Sequence, residues 1–347
     1  MRYVLIRRFL IFVASIAAAL VIAAAVAAWQ IGAFLNEPVD IPAETLEYEI
    51  RAGSSFAAIS EDLASRGVIS QPRLFRLYAR WKGQAGAIQA GEYLIEAGTT
   101  PVELLEQFTS GDVRLYSFTI IEGWNQWELL GALHAHPSID ASLTDENWAA
   151  LLAELGATVS HPEGQFLPET YRFPRGTTDR TVLALAFSLM QEVLAEEWDA
   201  REENLPIATP YEALTLASIV EKETGRADER ARIAGVFRRR LEKRMRLQTD
   251  PTVIYGIGKH FNGNLTRRDL TTDTPYNTYT RHGLPPTPIA MPGRAAIHAA
   301  LHPTDGKELY FVATGKGDGS HRFSETKDEH DAAVAEYLKQ LRQQRRQ

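Results

Sequence analysis

Apolar and polar positions divide this chain into one unbroken apolar run and a long patterned remainder. From Phe9 to Asn36 there are 28 consecutive residues without a charge, most of them Ala, Val, Ile, Leu and Phe. A helix needs about 20 apolar residues to cross a hydrocarbon core of roughly 30 Å. The run therefore predicts a transmembrane helix over 9–34, and no other apolar stretch approaches its length. Residues 35–45, with Pro38 and Pro42, read as a short stiff linker. Beyond them a pattern recurs. Ile50, Gly53, Ile59 and Leu63 are matched 45 residues later by Ile95, Gly98, Leu104 and Phe108, and again by Ile120, Gly123, Leu129 and Leu133. A strand, a tight glycine turn, a polar cap and an amphipathic helix account for this spacing.

These elements predict an α+β fold with a single N-terminal transmembrane helix, a small α+β module over 46–115 and a larger mixed α+β domain over 116–347. The larger domain should end in a solvated helix from Ser324 to Gln347 with a frayed basic tail. The glycine, Ser/Thr and helix layout of the small module resembles LysM-type modules, which bind N-acetylated glycans.

Composition then removes whole classes of chemistry. The chain has no cysteine, which excludes a disulfide scaffold, a thiol nucleophile and Cys-ligated zinc or iron–sulfur sites. Arg2, Arg7 and Arg8 are the only charges before Glu37, so residues 37–347 carry 34 basic against 44 acidic groups, a net of −10. That balance argues against a nucleic-acid partner. The same arginines predict residues 1–8 in the cytoplasm and everything after the helix outside it. A cleaved signal peptide, cut near Ala25–Ala27, is the rival reading, but the run exceeds the usual 7–15 apolar residues of a signal.

Candidate chemistry gathers in the larger domain. Thr209-Pro210-Tyr211-Glu212 opens a helix with a Thr cap, Pro at its first position and Glu three after the cap, and Gly225 is a plausible stop. Near its end stand Glu221 and Glu223. At 100° per residue Glu221 aligns with Leu214, Ala217 and Ser218, and Glu223 with Leu216, Ile219 and Val220. A carboxyl ending an apolar face is desolvated and its pKa rises, which suits a general acid near neutral pH. A solvent-facing helix end is the plainer alternative for Glu-Lys-Glu. Gln248, Thr249 and Asp250 join amide, hydroxyl and carboxylate in one loop, and Tyr276, Asn277 and Tyr279 alternate rings with hydrogen-bonding groups. Aromatic faces for sugar rings, with polar groups to read hydroxyls and acetamides, are what a carbohydrate groove needs. Gly283–Gly293 is a Pro/Gly loop of fixed shape. His298 and His302 have the spacing of a helical metal pair, but no third ligand is evident. The basic run Arg238–Arg246 reads as a solvated helix face, with Arg246 a candidate for attracting an acidic ligand. Gly315–Ser320 reads as a hairpin turn.

Taken together, Ser218–Thr224, Arg246–Gly256, Tyr276–Tyr279, Gly283–Pro286, His302-Pro303 and Leu309–Val312 resemble the YceG-like endolytic murein transglycosylases over nearly the whole chain. The resemblance implies a peptidoglycan lytic transglycosylase of the bacterial inner membrane, its catalytic domain periplasmic, acting near peptidoglycan synthases and using neither metal nor cofactor. It places the single catalytic glutamate on Glu221, with Glu223 the weaker alternative. Glu223, Gln248, Thr249, Asp250, Tyr276, Asn277 and Tyr279 fall on motif positions around the cleft. The loop Glu163–Tyr171 matches more loosely, Gln165 standing where the family prefers an apolar residue, and contributes Glu169. The acid would cut the bond between N-acetylmuramic acid and N-acetylglucosamine and leave a 1,6-anhydro end. A non-catalytic peptidoglycan-binding scaffold of a synthesis complex is the competing expectation.

Overall fold

The computed structural model describes residues 2–344, and the last three residues of the basic tail lie outside them. The fold is mixed α+β. By internal packing the chain divides into two compact units, Met1–Tyr116 and Ser117–Gln347.

The first unit begins with α1 (Arg2–Asn36), followed by β1 (Thr45–Ile50), α2 (Phe56–Ser65), α3 (Pro72–Trp81), β2 (Gly91–Glu96) and α4 (Pro101–Ser110). The antiparallel pair β1–β2 sets Tyr48 opposite Tyr93, and both rings pack against Phe108 of α4. Each strand leads through a glycine in the left-handed region, Gly53 at φ 80° and Gly98 at φ 93°, into a capped helix. The Ser55 hydroxyl accepts from Ala58, and Thr100 forms a reciprocal capping box with Glu103. The expected spacer between α1 and β1 is instead tied down. Val39 is buried and donates its N–H to Thr99, and Asp40 donates to Val68. The apolar residues between the two prolines cause this, because Val39 and Ile41 join the core that already holds Phe34 of α1.

The boundary falls within β3 (Leu115–Thr119), and the second unit continues with α5 (Gln126–Ala135), β4 (Ile139–Asp140), α6 (Trp148–Glu154), β5 (Thr170–Pro174), β6 (Thr177–Thr178), α7 (Asp179–Asp199), α8 (Pro210–Glu223), α9 (Arg230–Glu242), α10 (Asp250–Ile257), α11 (Arg267–Thr271), α12 (Arg294–Leu301), β7 (Tyr310–Ala313), β8 (His321–Ser324) and α13 (Lys327–Gln344). β3 with β5, β4 with β6 and β7 with β8 make two-stranded pairs. The third copy of the repeat is present here, with Gly123 at φ 80° and an Asn125 cap opening α5.

The core is built on α8. Every residue from Ala213 to Val220 is buried, and α7, α9, α10 and α12 surround the helix. A helix apolar on all sides belongs at the centre of a domain. The alanines of α12 allow its close approach to α8. As expected, the Thr209 hydroxyl accepts from Glu212. The helix stops at Glu223, before the glycine, where Thr224 turns to an extended conformation. The terminal helix departs from expectation: α13 begins at Lys327 and packs on β7 and β8 with Ala333 buried, so it is a wall of the unit. The glycine-rich segment 315–319 forms the β7–β8 turn, with Gly315, Gly317 and Gly319 all at positive φ.

Candidate active site

The buried axis of α8 delivers Glu221 and Glu223 to different surroundings, because residues two apart on a helix point about 200° apart. Glu223 faces a cavity of about 560 Å³ that is also lined by Gln248, Thr249, Asp250 and Tyr279. That volume falls within the range of ordinary ligand sites.

Several devices fix this cleft. Thr249 is the N-cap residue of α10, and its hydroxyl donates to Glu223 Oε1. The Thr249 backbone N–H donates to Thr278 Oγ1 at 3.1 Å, while Thr252 hydrogen-bonds both Thr249 O and Thr278 Oγ1 at 2.8 Å. Gln248 sits at φ 54°, a costly conformation for a residue with a Cβ, held by a bond from its N–H to Thr278 O. Tyr279 donates its hydroxyl to Asp250 Oδ1 at 2.6 Å. Arg240, nearly buried, donates to the carbonyls of Arg246, Leu247 and Leu309 and to Gln248 Oε1. The far wall is β7 with α13, including Tyr310, His330 and Tyr337.

Burial is the main influence on the Glu223 carboxyl and pushes its pKa to about 7, reinforced by the Asp250 charge and opposed by the Thr249 hydroxyl and Arg240. A carboxyl there is protonated in a useful fraction at neutral pH, beside the Asp250 carboxyl in its hydrogen bond with Tyr279. That is an acid next to a site able to stabilise positive charge.

Glu221 lies outside that cavity. Its Oε2 accepts from the Gly293 N–H at 3.0 Å, and Arg230 approaches Oε1 at 3.6 Å. Gly293 is the N-cap of α12, so this carboxylate closes a helix N-terminus. Around it, Gly123 and Met291 donate to Met291 O and Trp124 O respectively, and Ile289 N–H donates to Ser218 Oγ, so the Pro/Gly loop is pinned to α8. Burial and nearby Glu122 raise the Glu221 pKa, while Gly293, Arg230 and Lys222 lower it.

Three further candidate residues lie apart from this cavity. Asn277 is fully buried, and its amide donates to the carbonyls of Asp269, Leu270 and Thr272 while its oxygen accepts from Tyr279 N–H. These bonds shape the loop that presents Tyr279. Tyr276 packs its ring on Tyr255 and bonds Thr287, away from the Glu223 cavity. Glu169 is exposed at the start of β5 and accepts from its neighbour Thr170. In the same loop nothing in the sequence marks Glu163 as a buried carboxyl. It is fully buried, accepts from Gln126 N–H at 3.1 Å, and is driven by burial to about 8. Arg240 was also missed as a cleft residue, since a basic run on a helix reads as solvated. Its neighbour Arg239 is likewise buried, on Thr304 O and Glu308 O. Glu197 joins His298 and His302 as the third group that their spacing lacked. Its carboxylate is already engaged by Arg294 and by His298, and both nitrogens of His302 face backbone carbonyls.

The core helix with its cleft acid and the hydroxyl-rich loop opposite define a mixed α+β protein built around one carboxyl-bearing groove. The family profile described as YceG-like matches residues 48–336, and the chain belongs to this family. It is 32% identical over 329 residues to an endolytic murein transglycosylase of Bacillus subtilis (strain 168), covering 90% of each chain. A second relative of that name, from Streptococcus pneumoniae serotype 2 (strain D39), is 28% identical over 83% of this chain and 58% of its own length. A crystal structure of a yceG-like protein from Listeria monocytogenes superposes with a TM-score of 0.51 at 29% identity, covering 83% of this chain and 99% of that one.

Proposed function

We propose that this protein is an endolytic peptidoglycan lytic transglycosylase whose proton donor is Glu223. The observation that carries the assignment is the gathering of Glu223, Gln248, Thr249, Asp250 and Tyr279 around one cavity, with burial holding Glu223 near neutrality. The name shared by its relatives supplies the substrate class.

In this scheme Glu223 gives its proton to the oxygen linking N-acetylmuramic acid to N-acetylglucosamine as the bond to C1 breaks. Asp250 faces the positive charge that develops on the sugar. The C6 hydroxyl of the muramic acid then bonds to C1 and releases its proton to the Glu223 carboxylate, which restores the acid and leaves a 1,6-anhydro end. Closure within one sugar has the advantage of proximity over attack by water. A two-carboxylate glycosidase would need a second group acting on C1 or on water.

The proposal extends to the domain division. Residues 1–8 are cytoplasmic, 9–34 span the inner membrane, 35–45 connect, 46–115 form a LysM-like module and 116–347 cut nascent strands on the periplasmic side, beside the synthases that make them. The helix Ile6–Asn36 is long and apolar enough to cross a membrane. Digestion of purified glycan strands by the full chain, followed by mass spectrometry, should yield 1,6-anhydro ends. Reducing ends would indicate hydrolysis instead, and no cleavage by folded protein would favour a binding scaffold.

A further inference from the structure

We propose that the outer face of α3 is a membrane-surface contact that seats the small unit on anionic lipid beside the emerging end of α1. The inference rests on the reading of α1 as a membrane anchor.

The two faces of α3 are sharply unlike. Phe75 and Ala79 point into the core and are fully buried, and Leu74 and Tyr78 pack against the same cluster. On the other side Leu77 is 57% and Trp81 78% exposed, one helical turn apart. Arg73 and Arg80 share that exposed side, and Lys82 follows with its ammonium near the rings of Tyr78 and Trp81. Arg66 and Arg76 of this region pair with Asp62 and Glu61, whereas Arg73, Arg80 and Lys82 make no ion pair among the described residues. No acidic residue occurs from Leu63 to Gly91. Isolated exposed apolar side chains are ordinary. A Trp and a Leu on one helical face, flanked only by cations, form the pattern of a helix lying in a lipid interface.

The position of α3 beside α1 selects lipid as the occupant. α1 packs on α3, and Phe34 of α1 belongs to the core cluster that α3 covers. Counting about 20 residues of hydrocarbon from Phe9 brings the outer boundary to the level of Trp29, itself 73% exposed. Phe34 lies five residues further, about 7.5 Å along the axis, which is within the headgroup layer. A helix packed at that height presents its outer residues to lipid headgroups, where each cation gains from anionic charge.

The absence of cysteine makes the test clean. Full-length protein carrying Leu77→Cys, labelled with an environment-sensitive fluorophore, is reconstituted into vesicles of zwitterionic and anionic phospholipid. Nitroxide lipids labelled at the headgroup should quench it about two-fold, and aqueous iodide should not reach it. Arg73→Glu, Arg80→Glu and Lys82→Glu together should abolish the quenching while the circular dichroism spectrum is unchanged. A label at Ala19→Cys in α1, near the bilayer midplane and read with lipids whose nitroxide sits deep in the acyl chain, reports the anchor separately. Quenching at Ala19 with an iodide-accessible, unquenched Leu77 label overturns the inference and assigns the face to a protein or glycan instead. An Ala19 label unreached by lipid nitroxides overturns the anchor reading and this inference with it.

Discussion

Two carboxyl groups two residues apart at the end of α8 meet different fates. Glu221 meets backbone: the Gly293 N–H, the capped end of α12, and Arg230 behind it. Glu223 meets hydroxyls and space: Thr249, the Tyr279–Asp250 pair, and a cavity large enough for sugar. Both are desolvated and both have raised pKa values. A perturbed pKa is therefore a weak guide to the working residue, because a carboxylate that holds a loop together is perturbed for the same reason. What separates the two is their surroundings: Glu223 lines a cavity, whereas Glu221 accepts from the Gly293 N–H and lies 3.6 Å from Arg230.

Breaking the cleft side should have the largest effect. Glu223→Gln keeps the shape and removes the proton, so strand cleavage should fall by about 10² to 10⁴-fold, with the melting temperature at pH 7 held or raised. Glu221→Gln should do the reverse. It removes a charged acceptor from Gly293 and a partner from Arg230, costing about 2 kcal/mol, visible as a lower melting temperature with kcat/KM nearly intact. Thr249→Val sharpens the comparison further. The threonine hydroxyl lowers the Glu223 pKa, so its loss should move the alkaline limb of the pH–rate profile upward from about 7. A separate prediction concerns Glu163. Its pKa near 8 lies above the ordinary carboxyl value of 4.5. Its contribution to stability is thus complete below 4.5 and lost as pH rises through about 8. Wild-type melting temperature should fall across that window, and Glu163→Gln should flatten the slope.

Local rules exposed much of the fold. The repeated glycine spacing is realised three times, and in each copy the two helix positions picked by the repeat are buried: Ile59 and Leu63, Leu104 and Phe108, Leu129 and Leu133. The Thr209 cap and the 315–319 turn follow from equally local chemistry. The cleft was legible as a set of motifs and illegible as an arrangement. Helical phase showed that Glu221 and Glu223 point apart, but which one faces the Gln248 loop depends on the placement of α10 and α12, elements far away in sequence. Asn277 illustrates the same limit, since an amide reads alike whether it binds sugar or closes a turn. Arg240 and the α13 wall escaped notice because charge patterns on a helix do not reveal a carbonyl or a hairpin packed against them.

The most direct test of the account compares Glu223→Gln and Glu221→Gln, each as full-length protein at equal folded fraction, by quantifying 1,6-anhydro ends released from glycan strands. Wild type and Glu221→Gln should produce them at comparable rates, and Glu223→Gln should produce almost none. The opposite pattern, with Glu223→Gln active and Glu221→Gln folded but inert, would contradict the assignment and return the proton to Glu221.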